Sequence, residues 1–255
     1  MKKTSLLLFT AITFANTYAQ KLPQVQQVSL RAPANVKIDG KDKEWNGQFQ
    51  ARNTATGIFY TISNDNENLY LAIYASNYDI VSKILTNGMK IAFNAKKKST
   101  DNSIVISYPI PPTPQEWKDV GPTLASKLSA NDGLLNQADQ LTRLKAIAGM
   151  HKRLKISGID SFLEPSYSIY DSNDIMVRLD RPGEDVLYYE LSIPLKYLGL
   201  NKSVSPKINY NIRLNEHLLS RVLPPEAVSG TLPGGNDEGA MIYATDFWGE
   251  YTLAK

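Results

Sequence analysis

The feature that most constrains this chain is a rhythm of short runs rich in β-branched and aromatic residues, each closed by a cluster of Asn, Asp, Gly or Pro. Gly57–Ser63 (GIFYTIS) and Leu69–Tyr74 (LYLAIY) are two such runs, and Asn64-Asp65-Asn66-Glu67-Asn68 lies between them. Side chains that crowd a helix fit a pleated strand, and a polar tract that cannot bury a face favours a turn, so the pair reads as a β-hairpin. The rhythm returns at Arg153–Ile159, Tyr167–Tyr170, Ile175–Leu179, Val186–Ile193, Ile208–Leu214 and Phe247–Leu253. Strands and helices do not alternate as βαβ units, and no fixed repeat occurs. The expectation is an all-β, antiparallel, jelly-roll-like β-sandwich.

Other segments fill in this frame. Residues 20–34 carry Pro23, Pro33 and several glutamines and read as a lead-in with a short edge strand at Val25–Leu30. Val36-Lys37-Ile38 reads as a strand running into an Asp39-Gly40 turn. Tyr78–Thr86 reads as a short helix stopped by Asn87-Gly88, Met89–Asn94 alternates as a strand, and Ser103–Ile110 should pair with it. Pro109, Pro111, Pro112 and Pro114 break the pattern. After them comes a helical insertion at about 111–150, with turns around Trp117 and a helix from Asp132. Leu134, Leu135, Ala138, Leu141, Leu144 and Ala148 form its predicted apolar stripe and Gly149 its predicted C-terminal cap. Such a helix would cover an end or edge of the sandwich.

The N-terminus sets the compartment. Lys2 and Lys3 precede the apolar run Leu6–Ala15, and small residues stand at Thr17 and Ala19. That order of charge, apolar core and small residues marks a signal peptide over 1–19, and the run is too short to span a bilayer. The expected organisation is therefore a signal peptide (1–19), a lead-in (20–34) and one sandwich domain (35–255), in a protein sent to the periplasm, cell surface or beyond. Without Lys2 and Lys3 the basic count falls from 28 to 26 against 25 acidic residues. A near-neutral chain gives no reason to expect nucleic-acid binding, and Lys96-Lys97-Lys98 reads as a solvated strand end. There is no cysteine, which removes disulfides, thiolate nucleophiles and cysteine zinc sites. No later apolar run is long enough for a membrane helix.

Three segments together resemble the family 9 carbohydrate-binding modules. These are Val36-Lys37-Ile38-Asp39-Gly40 with Asp42, Glu44 and Trp45; Asp65-Asn66-Glu67-Asn68-Leu69-Tyr70-Leu71-Ala72-Ile73; and Tyr189-Glu190-Leu191-Ser192-Ile193-Pro194 through Gly199-Leu200. They occur in the family's order, and Trp248–Leu253 suits its last strand. The resemblance covers about 35–95 and 186–253 and implies a non-catalytic sandwich that binds a glycan. It rests on strand and turn residues, so it speaks to architecture more than to ligand contacts.

Sugar binding in water uses flat aromatic faces against C–H surfaces, with amides and carboxylates on the hydroxyls. The chain has three tryptophans, Trp45, Trp117 and Trp248, and these are the candidate ligand-binding residues. Trp45 and Trp248 stand where a core is the usual destination, whereas Trp117 lies in irregular sequence and is freest to meet a ligand. Tyr60, Tyr70, Tyr74, Tyr188 and Tyr189 are expected to pack. No cofactor is required. Metal binding is left open by the sequence; the acidic and amide oxygens of Asn64–Asn68 suit calcium, although the tract lacks EF-hand spacing. His151 and His217 occupy unrelated contexts, no His-Glu-x-x-His or Gly-x-Ser-x-Gly motif occurs, and haem ligation by His151 with its neighbour Met150 would need adjacent side chains to face one metal. The alternatives to glycan binding are a structural or protein-interaction sandwich, and a hydrolase with two acids converging in a cleft.

Overall fold

The computed structural model describes residues 21–116, 118–119, 137–171, 174–181, 186–200, 206–216 and 242–255. The expected signal peptide, Trp117, His217 and the first turn of the helix expected from Asp132 lie outside them. In chain order the elements are β1 (Ala51–Asn53), β2 (Ile58–Asn64), β3 (Asn68–Ala75), α1 (Tyr78–Asn87), β4 (Met89–Asn94) and β5 (Ile104–Ser107). There follow α2 (Gln137–Met150), β6 (Arg153–Ser157), β7 (Tyr167–Ser168), β8 (Met176–Asp180), β9 (Leu187–Pro194), β10 (Lys207–Leu214) and β11 (Thr245–Thr252). All strand pairings between these elements are antiparallel.

Among the described residues the strands form two sheets, a five-stranded one ordered β1-β2-β3-β9-β8 and a six-stranded one ordered β11-β10-β4-β5-β6-β7. The expected antiparallel β-sandwich is what forms. The inner faces meet in one apolar core that includes Ile62, Leu71, Ile73, Leu191 and Ile193 from the first sheet and Ile91, Phe93, Ile106, Ile208 and Ile212 from the second. Each of these side chains is withdrawn from water, the dominant favourable term in folding. Tyr60 and Tyr210 carry hydroxyls into that core and share a hydrogen bond of 2.9 Å across the sheets, which answers the cost of burying them. Tyr70 and Tyr189 are buried as expected, and Tyr74 and Tyr188 are half-buried.

Local signals explain the connections. Asn77 caps α1, its Oδ1 accepting from Ile80 N at 3.1 Å. At the other end Gly88 takes φ +81°, and a Cβ there would lie 2.6 Å from the Pro109 carbonyl oxygen, so the stop needs glycine. The helix α2 contacts α1 at that end of the sandwich and buries Leu141, Leu144 and Ile147. Two details of the expected helix are corrected. Ala138 is exposed, and the helix runs through Gly149 to Met150, so Gly149 is not its cap.

The lead-in forms no strand at Val25–Leu30; it meets β2 through the Gln26 side chain and, at its end, through an isolated parallel bridge between Arg31 and Asn64. Gln26 donates through Nε2 to the Ile62 carbonyl (2.7 Å) and accepts through Oε1 from Ile62 N (2.7 Å). One residue of β2 is thereby satisfied as a strand neighbour would satisfy it. Val36-Lys37-Ile38 is likewise unpaired in either sheet. Val36 and Ile38, with Ala32 and Phe49, pack on a small cluster of Trp45, Tyr70 and Ala72. Tyr70 and Ala72 point away from the main core, so the segment up to Phe49 seals the outer face of the five-stranded sheet. This is why β3 is buried on both faces.

Candidate functional site

The outer faces of the two sheets have opposite fates. On the first, β9 places Glu190 opposite Ala72 of β3 and beneath Trp45. Glu190 is 1% exposed and accepts three hydrogen bonds, from Trp45 Nε1 (2.7 Å), Asp39 N (2.9 Å) and Gly40 N (2.8 Å). Burial pushes its carboxyl above the usual range, against the pull of the three donors. Gly40 has φ +83°, and a Cβ there would come within 2.8 Å of the β8 backbone at Leu179. The segments that carry the family resemblance, the Asp-Gly turn, Trp45 and the glutamate of β9, are therefore one lock that clamps the lead-in to the sheet.

Trp45 must then be corrected as a candidate ligand-binding residue. It is 6% exposed with its only donor committed, so it offers no ring face to a ligand. Nearby, Phe49 stacks on Tyr74 (centroids 5.5 Å apart, planes 15° apart), and Tyr74 packs against Phe59 and Tyr188. Those rings spend their faces on one another.

Trp248 has a different setting. In β11 the residues Phe247, Gly249 and Tyr251 face inward, with Phe247 5.2 Å from the Tyr60 ring and Gly249 under the Tyr210 ring. Alternation then puts Asp246, Trp248 and Glu250 on the outer face, where Trp248 is half-buried at the sheet edge. The register carries this position across the sheet: Trp248 is opposite Asn211 of β10, Asn211 opposite Ala92 of β4, Ala92 opposite Val105 of β5, and Val105 opposite Ser157 of β6. An indole, an amide and three small residues thus lie in one line perpendicular to the strands. Five strands in sequence make a track about 19 Å long.

Larger polar side chains flank the track. On one side run Asp246, Arg213, Lys90, Ser107 and Lys155; on the other, Glu250, Asn209 and Asn94. Several are held in place. Asn211 Nδ2 donates to Asp246 Oδ2 (2.7 Å) and the Phe247 carbonyl (2.9 Å), Arg213 pairs with Glu216 (3.2 Å), Lys207 with Glu250 (2.7 Å), and Asn209 donates to the Asn94 carbonyl (3.0 Å). With their Nδ2 groups so used, the amide oxygens of Asn209 and Asn211 accept from no donor among the described residues. Asn211 and Ala92 in the row and Asn94 and Ser107 beside it are buried, so what the face presents is the half-buried Trp248 and Asn209 with the flanking cations.

Sequence reasoning reached Trp248 but not its neighbours, which come from strands far apart in the chain. A signal was present: Lys207-Ile208-Asn209-Tyr210-Asn211-Ile212-Arg213-Leu214 alternates polar and apolar throughout, the mark of a sheet face left open to water. Trp117 lies outside the described residues.

The remaining candidates are structural in this arrangement. In the β2–β3 turn Asp65 Oδ1 accepts from Glu67 N and Asn68 N and Oδ2 from the Tyr70 hydroxyl, so the carboxylate proposed for calcium is occupied in shaping the turn. Among the described residues no three His, Asp or Glu side chains come together as a metal would require. His151 is buried and donates through Nε2 to the Leu85 carbonyl (2.9 Å), and burial lowers its pKa to about 4. A cavity of about 590 Å³ opens at the end of the sandwich away from the helices, lined by Asn66, Glu67, Lys196, Leu200 and Leu253 among others. It has the Asp174–Lys196 ion pair at its wall, which the Tyr197 hydroxyl joins, and presents no aromatic ring among the described residues.

Among those residues no helix is long and apolar enough to cross a membrane. No family model matches the chain, and no curated protein does. Among the similar solved structures are two of a family 9 carbohydrate-binding module from Caldicellulosiruptor kristjanssonii. The complex with glucose is 10% identical, with TM-score 0.40 over 89% of this chain and 95% of that one. The complex with cellotriose is 11% identical, with TM-score 0.40 over 89% and 93%. They belong to the family whose strand and turn segments this sequence resembles, and no residue role is carried across from them.

Proposed function

We propose that the chain is an exported, non-catalytic carbohydrate-binding sandwich that lays a glycan across the outer face of its six-stranded sheet, with Trp248 as the stacking surface. The observation that carries this reading is the row Trp248–Asn211–Ala92–Val105–Ser157. A flat aromatic at the sheet edge admits a sugar ring, and the half-buried Asn209, its amide set by its own hydrogen bond, can accept a hydroxyl proton. The reading is one of binding rather than hydrolysis because Asp246 and Glu250 are engaged by Asn211, Arg213 and Lys207. Export rests on residues 1–19. Trp117 remains a second stacking candidate.

The test is a glycan-array screen with an intrinsic-fluorescence titration of the chain and its Trp248→Ala and Trp117→Ala variants. Saturable binding that Trp248→Ala weakens at least tenfold, with unchanged melting temperature, is the expected result. Loss with Trp117→Ala alone would move the site to the insertion. Absence of binding across plant, algal and bacterial glycans, with and without calcium, would favour a protein-interaction module instead. Leu163 in the loop joining β6 to β7, Tyr170 in the loop joining β7 to β8 and Met176 at the start of β8, all exposed, would be the first residues to examine in that case.

A further inference from the structure

We infer that the ligand of this face is an anionic glycan, one bearing carboxylate or sulfate groups, held by Lys90 and Lys155 along one side of the track. This rests on the reading of the face as a glycan site and adds the chemical class of the ligand. Charge on the face is sorted. Among the described residues four acids meet this face, and each has a cation: Asp246 and Glu216 share Arg213, Glu250 pairs with Lys207, and Glu116 pairs with Arg153. Toward the middle of the sheet, two cations among the described residues are left over. Arg153 is paired with Glu116 at 3.0 Å, but Lys90 and Lys155 are exposed and have no carboxylate partner among the described residues.

These two lysines stand in one row, Lys90 opposite Ser107 and Ser107 opposite Lys155. They are therefore two strand spacings apart, about 9.5 Å, with a small hydroxyl residue between them. Two like charges held on one side of an aromatic-tipped track are unfavourable to each other until an anion lies alongside. A neutral glycan would leave both ammonium groups with water only. A chain carrying acidic groups would meet each in turn while a ring stacks on Trp248. Nucleic acid is the competing polyanion, but the face offers one described indole and two unpaired lysines, against the broad basic surface that phosphate backbones select.

The experiment uses the full chain in affinity electrophoresis and calorimetry. Probes are polygalacturonate, alginate and dextran sulfate, each against its neutral counterpart (methyl-esterified polygalacturonate, propylene-glycol alginate, dextran), with an oligothymidine as polyanion control. The expected result is that at least one acidic polymer binds about tenfold or more tighter than its neutral form. A Lys90→Gln/Lys155→Gln variant should lose about tenfold for the acidic polymer only, the combined effect of two favourable exposed charge contacts. Trp248→Ala should weaken both forms. Equal binding of acidic and neutral forms, with the lysine variant unchanged, overturns the anionic class and leaves glycan binding standing. Lysine-dependent binding indifferent to Trp248→Ala, or oligothymidine bound as tightly as the polysaccharides, is ion exchange and overturns it too. No binding of any polymer overturns both readings.

Discussion

Glu190 gives the sharpest test of how this fold is held. Replacing it by Ala removes a carboxylate that three donors address, two of them, Trp45 Nε1 and Gly40 N, in buried hydrogen bonds and the third, Asp39 N, in a part-buried one. An orphaned buried donor costs about 1–3 kcal/mol, and breaking a buried charged network by deleting one member about 3–5 kcal/mol. Relief of the carboxylate's own desolvation, which raises its pKa, and the partial exposure of Asp39 N reduce the loss, so about 3 kcal/mol is expected. At a urea m-value of about 3 kcal/mol/M the midpoint should fall by about 1 M with m unchanged.

Two further variants separate the lock from general packing. Glu190→Gln keeps the shape but sets an amide against a donor, and Trp45→Phe keeps most of the ring but leaves Oε1 without a partner. Each should cost about 2 kcal/mol. In the double variant the mismatch is shared, so a coupling of about 1 kcal/mol or more should appear in the cycle. Unfolding is followed by far-UV circular dichroism, which does not depend on Trp45. A Glu190→Ala cost below about 1 kcal/mol, or additivity of the two conservative variants, would refute the proposed three-donor lock.

Other predictions follow from single contacts. Gln26→Leu removes both bonds to the Ile62 backbone, should cost about 2 kcal/mol, and should lower the melting temperature by about 4–8 °C in a calorimetric scan. Gly40→Ala forces a Cβ into the β8 backbone at positive φ and should cost more than about 1 kcal/mol, visible in the same scan. His151 has a folded pKa of about 4 against 6.5, so the unfolded chain binds the extra proton between those values. Its contribution is whole above pH 6.5 and falls by about 3 kcal/mol as pH drops to 4, and His151→Asn should flatten that part of the urea stability profile.

Strand identity was legible in the sequence because a side chain's β preference and a turn's polar residues are local properties. The hairpin of β2 and β3, the helix α1 with its Asn87-Gly88 stop, and the run of β4 could all be read in this way. What failed was any segment whose partner is not another strand. Val25–Leu30 and Val36–Ile38 have strand-like residues, yet they are satisfied by the Gln26 side chain and by packing on Trp45, choices that only a folded sheet beneath them can offer. Gly149 resembled a cap, but the helix continues one residue beyond it.

The sequence by itself determined an antiparallel sandwich, a core of branched and aromatic residues, and the segments that resemble a carbohydrate-binding family. Tertiary structure alone decided which tryptophan is core and which stands on a face, because that depends on whether another part of the chain covers the sheet. Trp45 is sealed under residues that precede it by a few positions and held by a glutamate far along the chain. Trp248 stands half-buried at the edge of the other sheet's outer face, with exposed Lys90 and Lys155 farther along it. The track beside it joins β11, β10, β4, β5 and β6, strands brought into register by backbone hydrogen bonds that leave no trace in the local sequence, and so its ligand-facing row could be seen only once the sheet was assembled.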